Sequence, residues 1–164
     1  MRAQPFRRRR EGRTNYRKRL KLISSGKTRI VIRRTLKNVI IQFIDFEAKG
    51  DRTRLTVVSK ELVNLGWKSH TGNIPASYLT GLLAGKKASA LKIKEAVVDT
   101  GLHTNTKGSR IYAAIKGLID SGIKINADEK VFPPMEKIKG SNAKNPEIVK
   151  TEFESVLKNI EKVK

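Results

Sequence analysis

Hydrophobic positions along this chain change their period more than once, and the changes mark its elements. Residues 1–13 have no apolar rhythm and read as disordered when alone. Tyr16, Leu20 and Ile23 then recur at helical spacing and predict a short helix that can dock this stripe on a core. Thr14 or Asn15 stands where its cap belongs, and Ser24-Ser25-Gly26 ends it. The period next shortens. Residues 28–34 (TRIVIRR), 38–46 (NVIIQFIDF) and 52–59 (RTRLTVVS) are rich in β-branched residues and predict three strands. Their short connections favour an antiparallel meander.

Helical spacing then returns. Residues 59–65 predict a short helix stopped by Gly66, and residues 66–73 a polar loop. Ile74, Tyr78 and Leu82, then Leu79 and Leu83, repeat at i, i+4, so 74–91 reads as a helix with Pro75 in its first turn. Gly81 and Gly85 inside it cost about 1 kcal/mol each relative to Ala, a cost that close packing against a sheet or backbone would offset. Residues 95–99 (EAVVD) predict a buried strand, and Ser109 a cap for a helix over 110–121, with Gly122 after its end. A strand after a helix implies a right-handed crossover into the same sheet. The expected fold is α/β, a mixed sheet with a βββ-α-β-α core. Phe132-Pro133-Pro134 breaks the pattern. Asn145 then caps and Pro146 opens a last helix striped by Val149, Phe153, Val156, Leu157 and Ile160. The expected division is an arm with a short helix over 1–26, a core over 27–125 and a helical extension over 126–164.

Charge changes the picture. The chain has 164 residues, 36 Lys plus Arg against 15 Asp plus Glu, and a formal net charge of +21. Like charges repel in a compact state, so an anionic partner is the simplest compensation. No run approaches the roughly 18 apolar residues that span a bilayer, and the charged N-terminus leads into no apolar signal core. Neither a membrane nor secretion is expected. Cysteine is absent, which excludes disulfides and thiolate metal sites. Aromatics make up 5% of the chain, too few for extended base stacking. Residues 1–37 hold fifteen Lys and Arg against Glu11 alone, fourteen of the net positive charges. Segregation of this kind marks an interaction arm. Arginine forks match phosphate and stack on bases. The run Arg7-Arg8-Arg9-Arg10 is too crowded for a helix-face pattern and suits a segment that folds into an RNA groove. Tyr16 is open to two uses, stacking on a base or packing its helix on the core.

Other chemistry is thin. Ser25-Gly26-Lys27-Thr28 ends like a phosphate-binding loop, but Lys21 stands where its first Gly belongs. In residues 81–87 (GLLAGKK) the early Gly falls one position short. His70 and His103 lie in polar loops without ligand-spaced neighbours. No cofactor, metal or small-molecule substrate is called for. Asp45 and Asp99 at strand ends leave one enzymatic alternative, a magnesium-dependent RNA-processing nuclease, against the plainer use of both in turns or caps. The chain lacks helix-turn-helix, zinc-finger and zipper patterns and the aromatic signature of an RNA recognition motif. Structured RNA is the favoured partner.

Four blocks carry a family likeness: residues 7–22 (RRRREGRTNYRKRLKL) running into Ser25-Gly26-Lys27, 71–88 (TGNIPASYLTGLLAGKKA), 96–103 (AVVDTGLH) and 108–122 (GSRIYAAIKGLIDSG). In order and spacing the chain resembles large-subunit ribosomal protein L-eighteen in its archaeal form, over roughly residues 7–135. The resemblance implies a non-enzymatic role, cytoplasmic and within the large ribosomal subunit. Its partners would be 5S rRNA, the large-subunit rRNA of the central protuberance, and the neighbouring proteins L-five and L-twenty-one-e. It implies a mixed α/β sandwich. The arm residues Arg7, Arg8, Arg9, Arg10, Arg13, Tyr16, Arg17, Lys18, Arg19 and Lys21 map onto the family's RNA-binding arm. Lys107, Ser109 and Arg110 fall on its basic strand-to-helix turn. Arg33, Arg34, Trp67, Lys68 and His70 are further RNA candidates.

Overall fold

The computed structural model describes residues 4–143 and 145–162. Its elements run α1 (Arg7–Arg10), α2 (Tyr16–Ile23), β1 (Arg29–Arg34), β2 (Val39–Asp45), β3 (Arg52–Val58), a 3₁₀ helix (Ser59–Leu65), α3 (Ile74–Ala90), β4 (Val97–Asp99), α4 (Arg110–Asp120), a 3₁₀ turn (Glu129–Val131), α5 (Met135–Ile138) and α6 (Pro146–Lys162). The expected βββ-α-β-α order is present. β1, β2 and β3 pair antiparallel, and β4 joins β1 in parallel, giving the order β3-β2-β1-β4. The sheet is mixed because β4 arrives only after a helical crossover.

Strand alternation divides the sheet into two faces. One presents Ile30, Ile32, Ile41, Phe43 and Val57, all buried without exposure, to α3 and α4. The other carries Arg29, Val31 and Arg33 from β1, with Asp99 of β4 opposite Val31. β1 is buried on both faces over its first four residues, because α2 and the arm cover the second.

α3 and α4 approach closely through small residues. A Cβ on Gly81 would lie 2.2 Å from the Ala114 carbonyl oxygen, and one on Gly117 would lie 2.2 Å from that of Tyr78. The partner backbone that Gly81 was expected to meet is therefore that of α4, whereas Gly85 faces the Ser121 side chain. α6 packs on α3 and the 3₁₀ helix. Its Phe153 ring stacks on Tyr78 at 5.9 Å, and Val149, Val156 and Ile160 join the same buried cluster as the sheet. Glu152 accepts the Ser69 N–H at 3.0 Å, and Asn159 donates to the Leu65 carbonyl at 3.0 Å, so α6 also fixes the loop before α3.

Three local expectations need correction. Residues 7–10 form one helical turn, crowded as they are. Four residues cannot sustain a helix alone. This turn is held by the Phe6 ring, 5.3 Å from Tyr16, and by the Arg8 Nε–H bond to Thr14 Oγ1 at 2.9 Å. Second, α2 does not dock by the stripe Tyr16, Leu20, Ile23, since Leu20 is 69% exposed. The inward side carries Lys18, Arg19, Leu22 and Ile23, all half-buried. Third, Ser109 stands at the N-cap of α4, but its hydroxyl makes no capping bond and is buried without a protein partner. Asn15 and Asn73 do cap, accepting N–H bonds from Lys18 and Ala76.

Candidate nucleic-acid interface

The arm folds into a hook over the outer face of the sheet. Gly12, at φ +62°, reverses the chain after α1. Glu11, the arm's one acid, lies 3.4 Å from Arg7 and 3.2 Å from Arg13. These are exposed pairs of little strength, and they leave Arg7, Arg8, Arg9, Arg10 and Arg13 facing solvent. Arg17 and Lys21 face outward from α2.

Under the hook lies a basic trough. One cleft of about 120 Å³ is lined by Arg8, Arg13, Lys18, Arg19, Arg29 and Arg33, with only Asp51 and Asp99 as acids. A second, of about 230 Å³, shares Arg13, Arg33, Asp99 and Leu102 and continues the trough to His103. The six cations outnumber the two carboxylates, so the trough suits a polyanion. Both acids are engaged. Asp51 lies 2.6 Å from Arg29 and 3.0 Å from Arg19, and Asp99 lies 3.5 Å from Arg29 while accepting the Gly101 N–H at 2.8 Å.

A second cluster forms at the β1–β2 turn. Arg33 and Arg34 are exposed at the end of β1. Arg110 reaches back from α4, and its Nη1 donates to the Gly72 carbonyl at 2.7 Å and to the Thr35 carbonyl at 3.4 Å. Thr71 Oγ1 bonds the Lys37 carbonyl at 2.7 Å. The loop bearing Lys68 and His70 is thereby drawn to the turn. Both of those side chains are exposed. Lys107 is also exposed, in the loop before α4.

Some sequence candidates have other work. Trp67 is fully buried in the core, and its Nε1–H donates to the His70 carbonyl at 3.4 Å. It offers RNA no surface. Gly66, at φ +101°, turns the chain so that the indole swings inward. Tyr16 packs against Phe6 rather than on the core. Lys18 Nζ donates to Thr100 Oγ1 at 3.0 Å and the Gly101 carbonyl at 3.3 Å, so it docks α2. The Ser109 hydroxyl is buried. Alternation puts Asp45 and Asp99 on opposite faces of the sheet. Asp45 accepts from Thr28 at 2.6 Å and Asp99 pairs with Arg29, so the two do not share an ion.

Comparison with known proteins agrees with this geometry. A family model described as ribosomal large subunit proteins 60S L5 and 50S L18 matches residues 2–95. Large ribosomal subunit protein uL18 of Methanothrix thermoacetophila is 56% identical over 136 residues, covering 83% of this chain and 80% of that protein. That of Methanococcus maripaludis is 50% identical over 141 residues, covering 86% and 73%. The chain belongs to the L18 family of large-subunit ribosomal proteins. The mixed α/β fold that the resemblance implied is the one found.

Two residues of this L18-family chain's basic surface escaped the sequence reading. Arg29 is 3% exposed and sits at the centre of the trough; a basic residue opening a strand gives no sign that Asp51, from the turn before β3, and Asp99, from β4, will close on it. His103 was legible only as a loop histidine. Its Nε2 accepts the Arg34 N–H at 3.4 Å. Burial, then the charges of Arg34 and Arg33, holds its pKa below the ordinary 6.5. The fold thus favours the neutral ring. That contribution to stability is present above the ordinary value and is lost as pH falls through the lowered one. A phosphate seated at Arg33 and Arg34 would cancel their repulsion of the imidazolium. The His103 pKa is therefore expected to rise when RNA binds, as an NMR titration of the ring with and without RNA would record. An unchanged value would exclude a phosphate at this place.

Proposed function

We propose that this chain is a structural protein of the large ribosomal subunit that binds 5S rRNA and attaches it to the large-subunit rRNA in the central protuberance. The observation that carries this reading is the basic trough and hook, found on a chain 56% identical to a uL18 protein. The arm supplies phosphate contacts, and the β1–β2 cluster of Arg33, Arg34, His70 and Arg110 adds a second point that fixes orientation. Two separated points of contact recognise a folded RNA by its shape, whereas a tail alone would take any strand. The subunit's proteins L-five and L-twenty-one-e are its proposed neighbours, and the cytoplasm is its compartment. The proposed role needs no catalysis, and among the described residues no three His, Asp or Glu side chains gather into a metal site.

The test is competition. Labelled 5S rRNA is bound to the full chain at fixed salt and challenged with unlabelled 5S rRNA or with random RNA of equal length. Specific binding should require at least a hundredfold more random RNA for equal displacement. Equal displacement by both would reduce the chain to a nonspecific basic adaptor.

A further inference from the structure

We infer that Asp51 is a positioning residue for RNA binding: an acid in the middle of a basic trough that raises affinity for a polyanion by holding the arm in place. The inference rests on the arm being the RNA-binding element. Its starting point is how α2 is held. α2 contains no fully buried residue, and Leu20 points away from the protein. Apolar burial therefore contributes little to its docking. What joins it to the sheet is polar. Asp51, in the turn before β3, sits between Arg19 of α2 at 3.0 Å and Arg29 of β1 at 2.6 Å. Lys18, one residue earlier on α2, bonds Thr100 and Gly101 just past β4. Two separate segments of chain converge on two adjacent residues of one helix, and one of them is itself tied to β1 through Arg29.

The pairing has unequal partners, which is what makes it an anchor. The Arg29 side chain is 4% exposed and that of Asp51 is 23% exposed, while Arg19 keeps 34%. Arg29 is buried in the sheet, Asp51 is paired with Arg29, and Arg19, the most exposed of the three, is the member that they capture. Without Asp51 the side chains of Arg19 and Arg29 would face each other as like charges, and α2 would be repelled from the sheet that now orients it. The hook of Arg7–Arg10 continues from α2 and would go with it. An arm ordered beforehand does not lose that freedom again on binding.

Two physical effects of replacing Asp51 therefore have opposite signs. Simple electrostatics says that Asp51→Asn raises net positive charge and should tighten RNA binding. Loss of the anchor says that it should weaken binding. Newly freeing the backbone of about one residue is enough for a tenfold loss, and α2 has eight.

The experiment measures the affinity of full-length wild type, Asp51→Asn and Asp51→Glu for 5S rRNA at one salt concentration, with amide exchange read across the chain. The expected result is about tenfold weaker binding for Asp51→Asn, faster exchange confined to the arm and α2 (residues 7–23), unchanged protection in β1 and β2, and recovery in Asp51→Glu. Equal or tighter binding by Asp51→Asn overturns the inference. Absence of wild-type binding to 5S rRNA would instead overturn the proposed function. Should Asp51→Asn fail to fold, with Arg29 left short of a partner, Thr100→Val removes one of the two bonds by which Lys18 helps to dock α2 and leaves the one to the Gly101 carbonyl. About threefold weaker binding and faster exchange in α2 are then expected, and unchanged values of both overturn the inference.

Discussion

Deleting residues 1–21 is expected to abolish most RNA binding while the α/β body stays folded. The segment holds ten of the basic residues and one acid, so its loss removes nine net positive charges. The remaining chain keeps the whole sheet, α3, α4 and α6, and among the described residues none of the fully buried side chains comes from the deleted segment. If about six phosphates are contacted by the arm, the affinity of the intact chain should fall on the order of a thousandfold between 50 and 200 mM salt. The truncated chain should show a much flatter dependence, because fewer counterions are released. Filter binding or anisotropy with 5S rRNA across that salt range is the measurement, with circular dichroism to confirm the fold. Undiminished affinity after truncation would move the site to the β1–β2 cluster and leave the arm with no part in binding. The deletion and the Asp51 substitution probe different things. The first removes the charge, and the second keeps every arm charge and removes its placement.

The fold was largely legible because its signals are local. β-branched alternation and short turns define β1, β2 and β3, and Gly66, Pro75 and Gly122 mark helix boundaries. What escaped depends on residues far apart in sequence. The stripe Tyr16, Leu20, Ile23 looked like the docking face of α2 because such a reading counts apolar positions. The true face uses Lys18 and Arg19, and their partners Thr100 and Asp51 lie 82 and 32 residues away. Trp67 looked exposed because its neighbours are polar, yet one positive φ at Gly66 turns it inward. The arm was legible as charge, but its shape was not. Hence Arg17, Lys21 and Arg7–Arg10 stay exposed to phosphate, whereas Lys18, Arg19 and Arg110 are half-buried and partly engaged by the protein itself.

Gly81→Ala and Gly117→Ala should each destabilise the domain by about 2–4 kcal/mol, although Ala is the better helix former by about 1 kcal/mol. The new methyl would stand 2.2 Å from a carbonyl oxygen of the facing helix in each case. Carbon–oxygen contacts settle near 3.3–3.6 Å, so α3 and α4 would have to part by roughly an ångström. No flexible side chain is available to yield, because both obstacles are backbone. Gly85 is a different case. A Cβ there meets Ser121 Oγ at 1.6 Å and its Cβ at 2.5 Å, both side-chain atoms. Gly85→Ala should therefore be rescued in large part by Ser121→Gly, whereas no single partner change rescues Gly81→Ala. Thermal melts of these variants would show it, with losses of roughly 10 °C for Gly81→Ala and Gly117→Ala. Recovery of Gly81→Ala by substituting Ala114 would mean that the clash is not with the backbone. The spacing of these helices also reaches the RNA surface. Arg110 opens α4, and its 2.7 Å bond to the Gly72 carbonyl, one residue before the Asn73 cap of α3, closes the loop against the β1–β2 turn. Parting the helices stretches that bond. Gly117→Ala should therefore lose some RNA affinity even at temperatures where it remains folded, a loss that a purely global effect on stability would not produce.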